Sequence, residues 1–142
     1  MQILDTNVVS ELVRTDRQPE PQITSWVSSQ RKVDMYLTAV NRAELLYGIA
    51  IMPFGRRRSE LQLSVERWLD FGFRERILPF DDDAAQMYTR IAPLRRSFGK
   101  PIGVADCQIA AITRTQDATL VTRNVRDFHG TGIEIVNPWI AS

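Results

Sequence analysis

Cysteine and histidine are almost missing from this chain: there is one of each, Cys107 and His129, in 142 residues. A single thiol excludes an internal disulfide framework and fits a reducing compartment, so a cytoplasmic location is expected. A single imidazole excludes any mechanism that shares a proton between two histidines. A strong charge of one sign is also lacking, because 18 Lys and Arg oppose 17 Asp and Glu for a formal net charge of +1. Any contact with nucleic acid must therefore come from a local patch. No apolar run approaches the roughly 20 residues that span a bilayer. The first residues lack a basic segment followed by an apolar stretch and a cleavage site, so export by a signal peptide is not expected. There is no internal repeat, low-complexity tract or linker. What is present is ordinary for a globular protein, 44% hydrophobic and 25% charged residues. That is enough to bury the core of one domain over residues 1–142.

The apolar pattern switches repeatedly between the two regular periods. Gln2-Ile3-Leu4 reads as a short strand, apolar on both faces and therefore central to a parallel sheet. Val8, Val9, Leu12 and Val13 give a helical stripe that ends in the polar segment Arg14 to Pro21. Ile23, Trp26 and Val27 suggest another short helix. Met35-Tyr36-Leu37-Thr38 is a second strand. Ala39, Ala43, Leu46, Tyr47 and Ala50 then recur at helical spacing, until Pro53-Phe54-Gly55 breaks the pattern. Ser59 with Gln62 has the spacing of a capping box, and Leu61, Val65, Trp68, Leu69 and Gly72 mark the face behind it.

Ile77-Leu78-Pro79-Phe80 is a strand whose proline favours an edge or an end. Asp81-Asp82-Asp83 precedes the helical stripe Ala84, Met87, Tyr88, Ile91 and Leu94, which Pro93 is expected to kink or divide. After the turn Gly99-Lys100-Pro101, Ala105, Ile109 and Ile112 share a helix face. Thr119 to Thr122 and Ile133 to Val136 are the last strands. Strands separated by helices predict an α/β fold with a central parallel β-sheet flanked by helices.

Three acids stand in apolar settings. Asp5 follows the first strand, where open α/β sheets place their ligands, although the same position suits a helix N-cap. Glu44 lies beside Val40, Tyr47 and Ile51 on its helix, so a partly buried carboxylate is expected, which is costly unless paired or bound to a metal. Asp106 sits in a first helical turn, where the macrodipole alone would favour it. All three fall at the carboxyl edge of the expected sheet. Carboxylates brought together there repel one another, and Mg²⁺ or Mn²⁺ is the usual remedy.

Four short motifs occur in order: Leu4-Asp5-Thr6-Asn7; Ala43-Glu44-Leu45 with Gly48; Ala105-Asp106 with Ile109-Ala110; and Thr122-Arg123-Asn124 with Asp127-Phe128. Each alone is common. Together, and at this spacing, they make the chain resemble the PIN-domain ribonucleases, specifically the VapC-type (FitB-like) toxins of bacterial toxin–antitoxin pairs. The resemblance runs from Met1 to Asn137-Pro138-Trp139. It implies a PIN-like α/β fold and a Mg²⁺- or Mn²⁺-dependent endoribonuclease. It implies Asp5, Glu44 and Asp106 as metal-binding catalytic acids. The fourth position is open between Asn124 and Asp127, with Asp127 favoured as the catalytic charge and Asn124 in support; a turn-capping role is the alternative for Asp127. Thr6, Asn7 and Thr122 would orient the acids or contact a phosphate. It further implies a homodimer, an RNA substrate, a VapB-type antitoxin, and contact with operator DNA only through that antitoxin.

No side chain recommends itself as a nucleophile, since Cys107 reads as a small core residue and His129 as a solvated loop residue. Phosphate contacts are expected from Arg56-Arg57-Arg58 and from Arg95, Arg96 and Lys100, though solvated loops and helix ends explain such clusters equally well. Asp81-Asp82-Asp83 is better explained as a helix start than as a metal site. Leu61, Val65 and Trp68 are the expected anchors of a groove that receives the antitoxin. Two rival readings remain. A haloacid-dehalogenase-like phosphatase would need an acid where Asn7 stands. A non-catalytic PIN-fold binding module would have lost its metal.

Overall fold

The computed structural model describes residues 1–140. Five strands, β1 (Gln2–Leu4), β2 (Met35–Thr38), β3 (Ile77–Leu78), β4 (Thr119–Val121) and β5 (Glu134–Val136), form one parallel sheet in the order β3-β2-β1-β4-β5. The first strand is therefore the central one, as its two-sided apolar character requires. Ile3 and Leu4 are both wholly buried and fall into different core clusters, because successive strand residues point to opposite faces. Leu120 and Val121 on β4 divide in the same way. On one face lie α1 (Thr6–Val13), α2 (Pro21–Ser28), α3 (Ala39–Ala50) and α4 (Arg56–Arg67). On the other lie α5 (Asp82–Ser97) and α6 (Val104–Thr115). Among the described residues no helix is long and apolar enough to cross a membrane.

In a parallel sheet all the strands finish at one edge, and the register decides what meets there. Leu4 pairs with Val121, so Asp5 follows beside Thr122; the Asp5 backbone N–H donates to the Val121 carbonyl at 2.9 Å. Ile3 pairs with Tyr36, and continuing that register brings Thr38 to the other side of Asp5. Asp5 and Thr38 are the N-caps of α1 and α3. Each caps because its side-chain oxygen takes up a backbone N–H that the first turn would leave unpaired.

Several local expectations need correction. Ser59 and Gln62 form no capping box: α4 begins a turn earlier, at Arg56, and Ser59 Oγ donates to the Gly55 carbonyl from inside the helix. Gly55 sits at φ 152°, a conformation other residues rarely adopt, which lets the helix start directly after the break. The capping box occurs instead at Thr38 and Asn41. That alters the buried face of α3, which is Asn41, Leu45 and Ile49; Tyr47 and Ile51 are about two-thirds exposed. A polar residue turned inward displaced the stripe. Pro93 does not divide α5, which runs on to Ser97. β3 lies at the sheet edge and stops before Pro79.

Asn41 is fully buried, and its amide joins the α3 cap to the end of β1. Asn41→Ala should leave the Thr38 hydroxyl and backbone N–H and two Asp5-side groups short of partners. A loss of about 1–3 kcal/mol in unfolding free energy is expected, measurable by urea denaturation. An unchanged midpoint would show that water replaces the amide without cost.

Candidate active site

Asp5 is 5% exposed, and both of its oxygens are occupied. Oδ1 accepts from the Thr6 backbone N–H at 2.8 Å and from Asn41 Nδ2 at 3.2 Å. Oδ2 accepts from Thr122 Oγ1 at 2.7 Å and Asn7 Nδ2 at 3.2 Å. Burial pushes its carboxyl above the ordinary range; the Thr122 hydroxyl, the Thr6 N–H, Asn41 and Asn7 oppose that rise without cancelling it. Thr122 Oγ1 also accepts from Asn7 Nδ2 (3.1 Å) and from the Asn124 backbone N–H (3.0 Å). Asn7 Oδ1 in turn accepts from the Arg123 backbone N–H at 3.1 Å. The start of α1 and the loop after β4 are thus tied together through the carboxylate.

Glu44 departs from expectation. It is exposed rather than partly buried, since the inward face of α3 is centred on Asn41 and Leu45. Its carboxylate still turns to the site, accepting from Thr6 Oγ1 at 2.7 Å, and that hydroxyl accepts from Asn41 Nδ2 at 3.1 Å. Asp106, in the first turn of α6, is half-buried. Its carboxyl is pushed up to about 6, first by burial and then by the charges of Asp5, Asp127 and Glu44, with Arg95 pulling the other way. The three other acids therefore face one site. Asp127 is exposed, in the 3₁₀ turn Val125–Phe128; Asn124 precedes that turn, and its side chain caps nothing.

The donors are all hard oxygens, which suits Mg²⁺ or Mn²⁺. Among the described residues no three His, Cys, Asp or Glu groups are gathered closely enough to hold an ion. Like charges keep their distance, and the oxygens of Asp5 are engaged by their donors. Glu44, Asp106 and Asp127 keep accessible carboxylates, so the chemistry of the donor set fits a divalent cation.

The other sequence candidates divide. Cys107 is buried, and desolvation pushes its thiol up to about 11, which leaves it inert. His129 is exposed just after the 3₁₀ turn. Asp81 caps α5 through the Ala84 N–H, as a helix start should. Arg95 is no part of a basic surface: it is 7% exposed and binds backbone carbonyls. A groove of about 920 Å³ lies beside the acids rather than over them, between α1, α3 and α4. Leu61 and Val65 line it, with Asn7 and Arg123 at the end near the acids and Arg56 and Arg57 farther along. Trp68 does not line it; that ring stacks on Phe73 at 4.9 Å, over a separate hollow.

The model of the PIN domain family matches residues 3–133. The chain belongs to the PIN-domain family. It is 37% identical over 139 residues to the VapC ribonuclease Y4jK of Sinorhizobium fredii, covering 98% of each chain. It is 36% identical over 139 residues to the Toxin FitB of Neisseria gonorrhoeae, covering 98% of this chain and 99% of that one. The solved structure of FitAB bound to an IR36 DNA fragment superposes with a TM-score of 0.91 at 34% identity, over 100% of this chain and 98% of that chain. The resemblance carried by the four motifs is borne out. The family match also sets aside a haloacid-dehalogenase-like phosphatase.

Within this PIN domain, sequence reasoning overlooked Asn41, the buried link between Thr38, Thr6 and Asp5. The signal was present as Thr38-x-x-Asn41 at a strand end, a capping-box spacing with Asn in place of Glu or Gln. It also overlooked the role of Arg95, which helical charge counting assigns to solvent.

The raised carboxyl of Asp106 fixes a sign. In the metal-free PIN domain it holds its proton up to about pH 6, whereas the ordinary value is 3.8. The folded state thus binds the extra proton between those limits, and the stability it confers is lost as pH rises through 6. Asp106→Asn should raise the melting temperature in EDTA at pH 7.5 by a few degrees and by nothing at pH 4. Calorimetric melts across that range check this; a gain that persists at pH 4 would contradict it.

Proposed function

We propose that this PIN domain is a toxin of the VapC type, an endoribonuclease that hydrolyses RNA phosphodiester bonds with Mg²⁺ or Mn²⁺. The observation that carries the reading is the placement of the acids at the carboxyl edge of the sheet, where Thr6 bonds both Asp5 and Glu44 and the charges of Asp5, Asp127 and Glu44 reach Asp106. Asp5 also caps a helix, but nothing in the packing requires Glu44, Asp106 and Asp127 to stand near it, and a cation would relieve the repulsion among them. The likeness to a VapC ribonuclease and to the Toxin FitB supports the same assignment.

Asp5, Glu44 and Asp106 would hold the ion, with Asp127 adding the fourth charge. When bound, the ion supplies charge stabilisation at the phosphate and lowers the pKa of a water poised for in-line attack. The chain's own groups do the positioning. Thr122, Asn7 and Asn41 hold the Asp5 carboxylate at one angle, and the Thr6 hydroxyl fixes Glu44. Arg123, on the same loop as Asn124, stands at the groove end where a phosphate would approach.

The partners follow from the family. A VapB-type antitoxin segment would occupy the groove lined by Leu61 and Val65 and so cover the approach to the acids. Operator DNA would be met only through that antitoxin. A homodimer is the expected toxin assembly. The FitAB complex supports the antitoxin reading.

Purified protein should cleave RNA with Mg²⁺ or Mn²⁺ and stop in EDTA. Asp5→Asn and Asp106→Asn should each lower the rate by about 100-fold or more, since even outer-shell partners of a metal act on that scale. Undiminished cleavage in EDTA would overturn the mechanism, and metal binding without cleavage of any RNA would favour a non-catalytic binding module.

The fourth position has its own test. Asp127→Asn should weaken Mn²⁺ binding clearly and Asn124→Ala only slightly, because Asp127 carries a charge that acts on Asp106 and Asn124 carries none. Parallel titrations of the two variants decide, and the reverse order would assign the position to Asn124.

A further inference from the structure

Arg95 is the one arginine among the buried residues, and it has no carboxylate partner within salt-bridge distance among the described residues. Its guanidinium is satisfied by backbone instead. Nε donates to the Lys100 carbonyl at 2.7 Å. Nη1 donates to the Asp127 carbonyl at 2.8 Å and the His129 carbonyl at 2.9 Å. The stem also packs 3.8 Å from the position a Cβ would take on Gly130. Burying a cation against neutral carbonyls is costly, and an apolar side chain of similar length would fill the volume without that cost. What the guanidinium adds is a rigid fork that spans two separate segments. One is the Gly99–Pro101 turn that leads into α6, the helix of Asp106. The other is the loop that carries Asp127.

We infer that Arg95 is a positioning residue of the carboxylate site, a buried clamp that sets Asp127 relative to Asp106 by holding both of their supporting segments. The loop after β4 needs such a tie. Between Arg123 and His129 only Phe128 is buried, so one side chain anchors a stretch that is otherwise exposed. The fork grips the backbone of Asp127 itself, leaving its carboxylate free to face the other acids. The role rests on the reading of the four acids as a cation site.

The test is Mn²⁺ titration of the purified full chain by calorimetry. Arg95→Lys keeps the positive charge and loses the fork, so the electrostatic attraction for a cation is held constant. It should weaken Mn²⁺ binding about tenfold, the scale expected of an outer-shell partner. In an Asp127→Asn background the same change should matter less than about twofold, because the residue being positioned no longer contributes. Arg95→Gln is the second variant: removal of a positive charge alone would tighten Mn²⁺ binding, so weaker binding there reports positioning. Ile23→Val, a truncation in the opposite core cluster, should lower the melting temperature without moving Mn²⁺ affinity. Hydrogen exchange should quicken at residues 127–131 in both Arg95 variants and not in Ile23→Val.

Wild-type Mn²⁺ affinity in folded Arg95→Lys, tighter binding in Arg95→Gln, or an equal loss with and without Asp127 would each overturn the clamp. Should Arg95→Lys fail to fold, the cycle is run with Arg95→Gln, on the same criteria. A failure of the underlying reading looks different: wild type and Asp106→Asn would bind Mn²⁺ alike, and both conclusions would fall together.

Discussion

A carboxylate buried at the end of a central strand is the constraint around which this edge of the molecule is organised. Asp5 has almost no contact with water, so each of its lone pairs must meet a donor or remain unsatisfied in a poorly solvated place. The sheet supplies two of the surrounding segments by register alone, because β4 and β2 flank β1 and end beside it. Thr122 donates from β4's end, Asn41 from the helix after β2, and Asn7 and the Thr6 N–H from α1. One anion thereby sets the relative placement of three segments distant in sequence. The same donors that make its burial tolerable also fix its direction.

The electrostatics of the other acids pull against that order. Asp106 cannot move away from Asp5, since α6 is packed into the core through Cys107, Ile109, Ala110 and Ile112. Its carboxyl is therefore raised, first by burial and then by the charges it cannot escape. Glu44 and Asp127 avoid the conflict by exposure, standing at the rim where water screens them. The result is a graded set: one acid rigid and saturated with donors, one half-buried and destabilised, two solvated.

Much of this was legible in the sequence because it follows from short-range pattern. Ile3 and Leu4 read as a two-sided strand, and Asp5, Asp106 and Thr122 stand where a parallel sheet gathers its ends. Glu44 lies on the helix that the sequence pattern marks, but in water rather than beside the core. The count of apolar residues placed the buried stripe of α3 on Ala43 and Tyr47, whereas the inward position belongs to Asn41, which no hydrophobic periodicity can reveal. Arg95 departs from its pattern for a related reason. Beside Arg96 and Lys100 it looks like part of a basic patch, and only the return of two distant segments over α5 turns it inward. Pattern reading fails where a polar side chain is buried because tertiary partners await it.

Asn41 and Arg95 belong to helices, α3 and α5, that lie on opposite faces of the sheet. Each is a buried polar side chain that touches an acid-bearing segment, and each reaches backbone or hydroxyl groups of more than one segment. Asn41 uses a neutral amide, which suffices because Asp5 already has three other donors. Arg95 has a harder task, since the loop of Asp127 is exposed apart from Phe128 and lacks a strand to hold it. A guanidinium, with five donors in a fixed plane, can grip carbonyls on two segments at once where an amide or an ammonium could not do so with the same rigidity. Its positive charge then falls behind the acids, where it lowers the Asp106 carboxyl and partly offsets the repulsion there. Geometry and charge are thus served by one side chain, which accounts for a buried cation in a core that would otherwise favour a hydrocarbon.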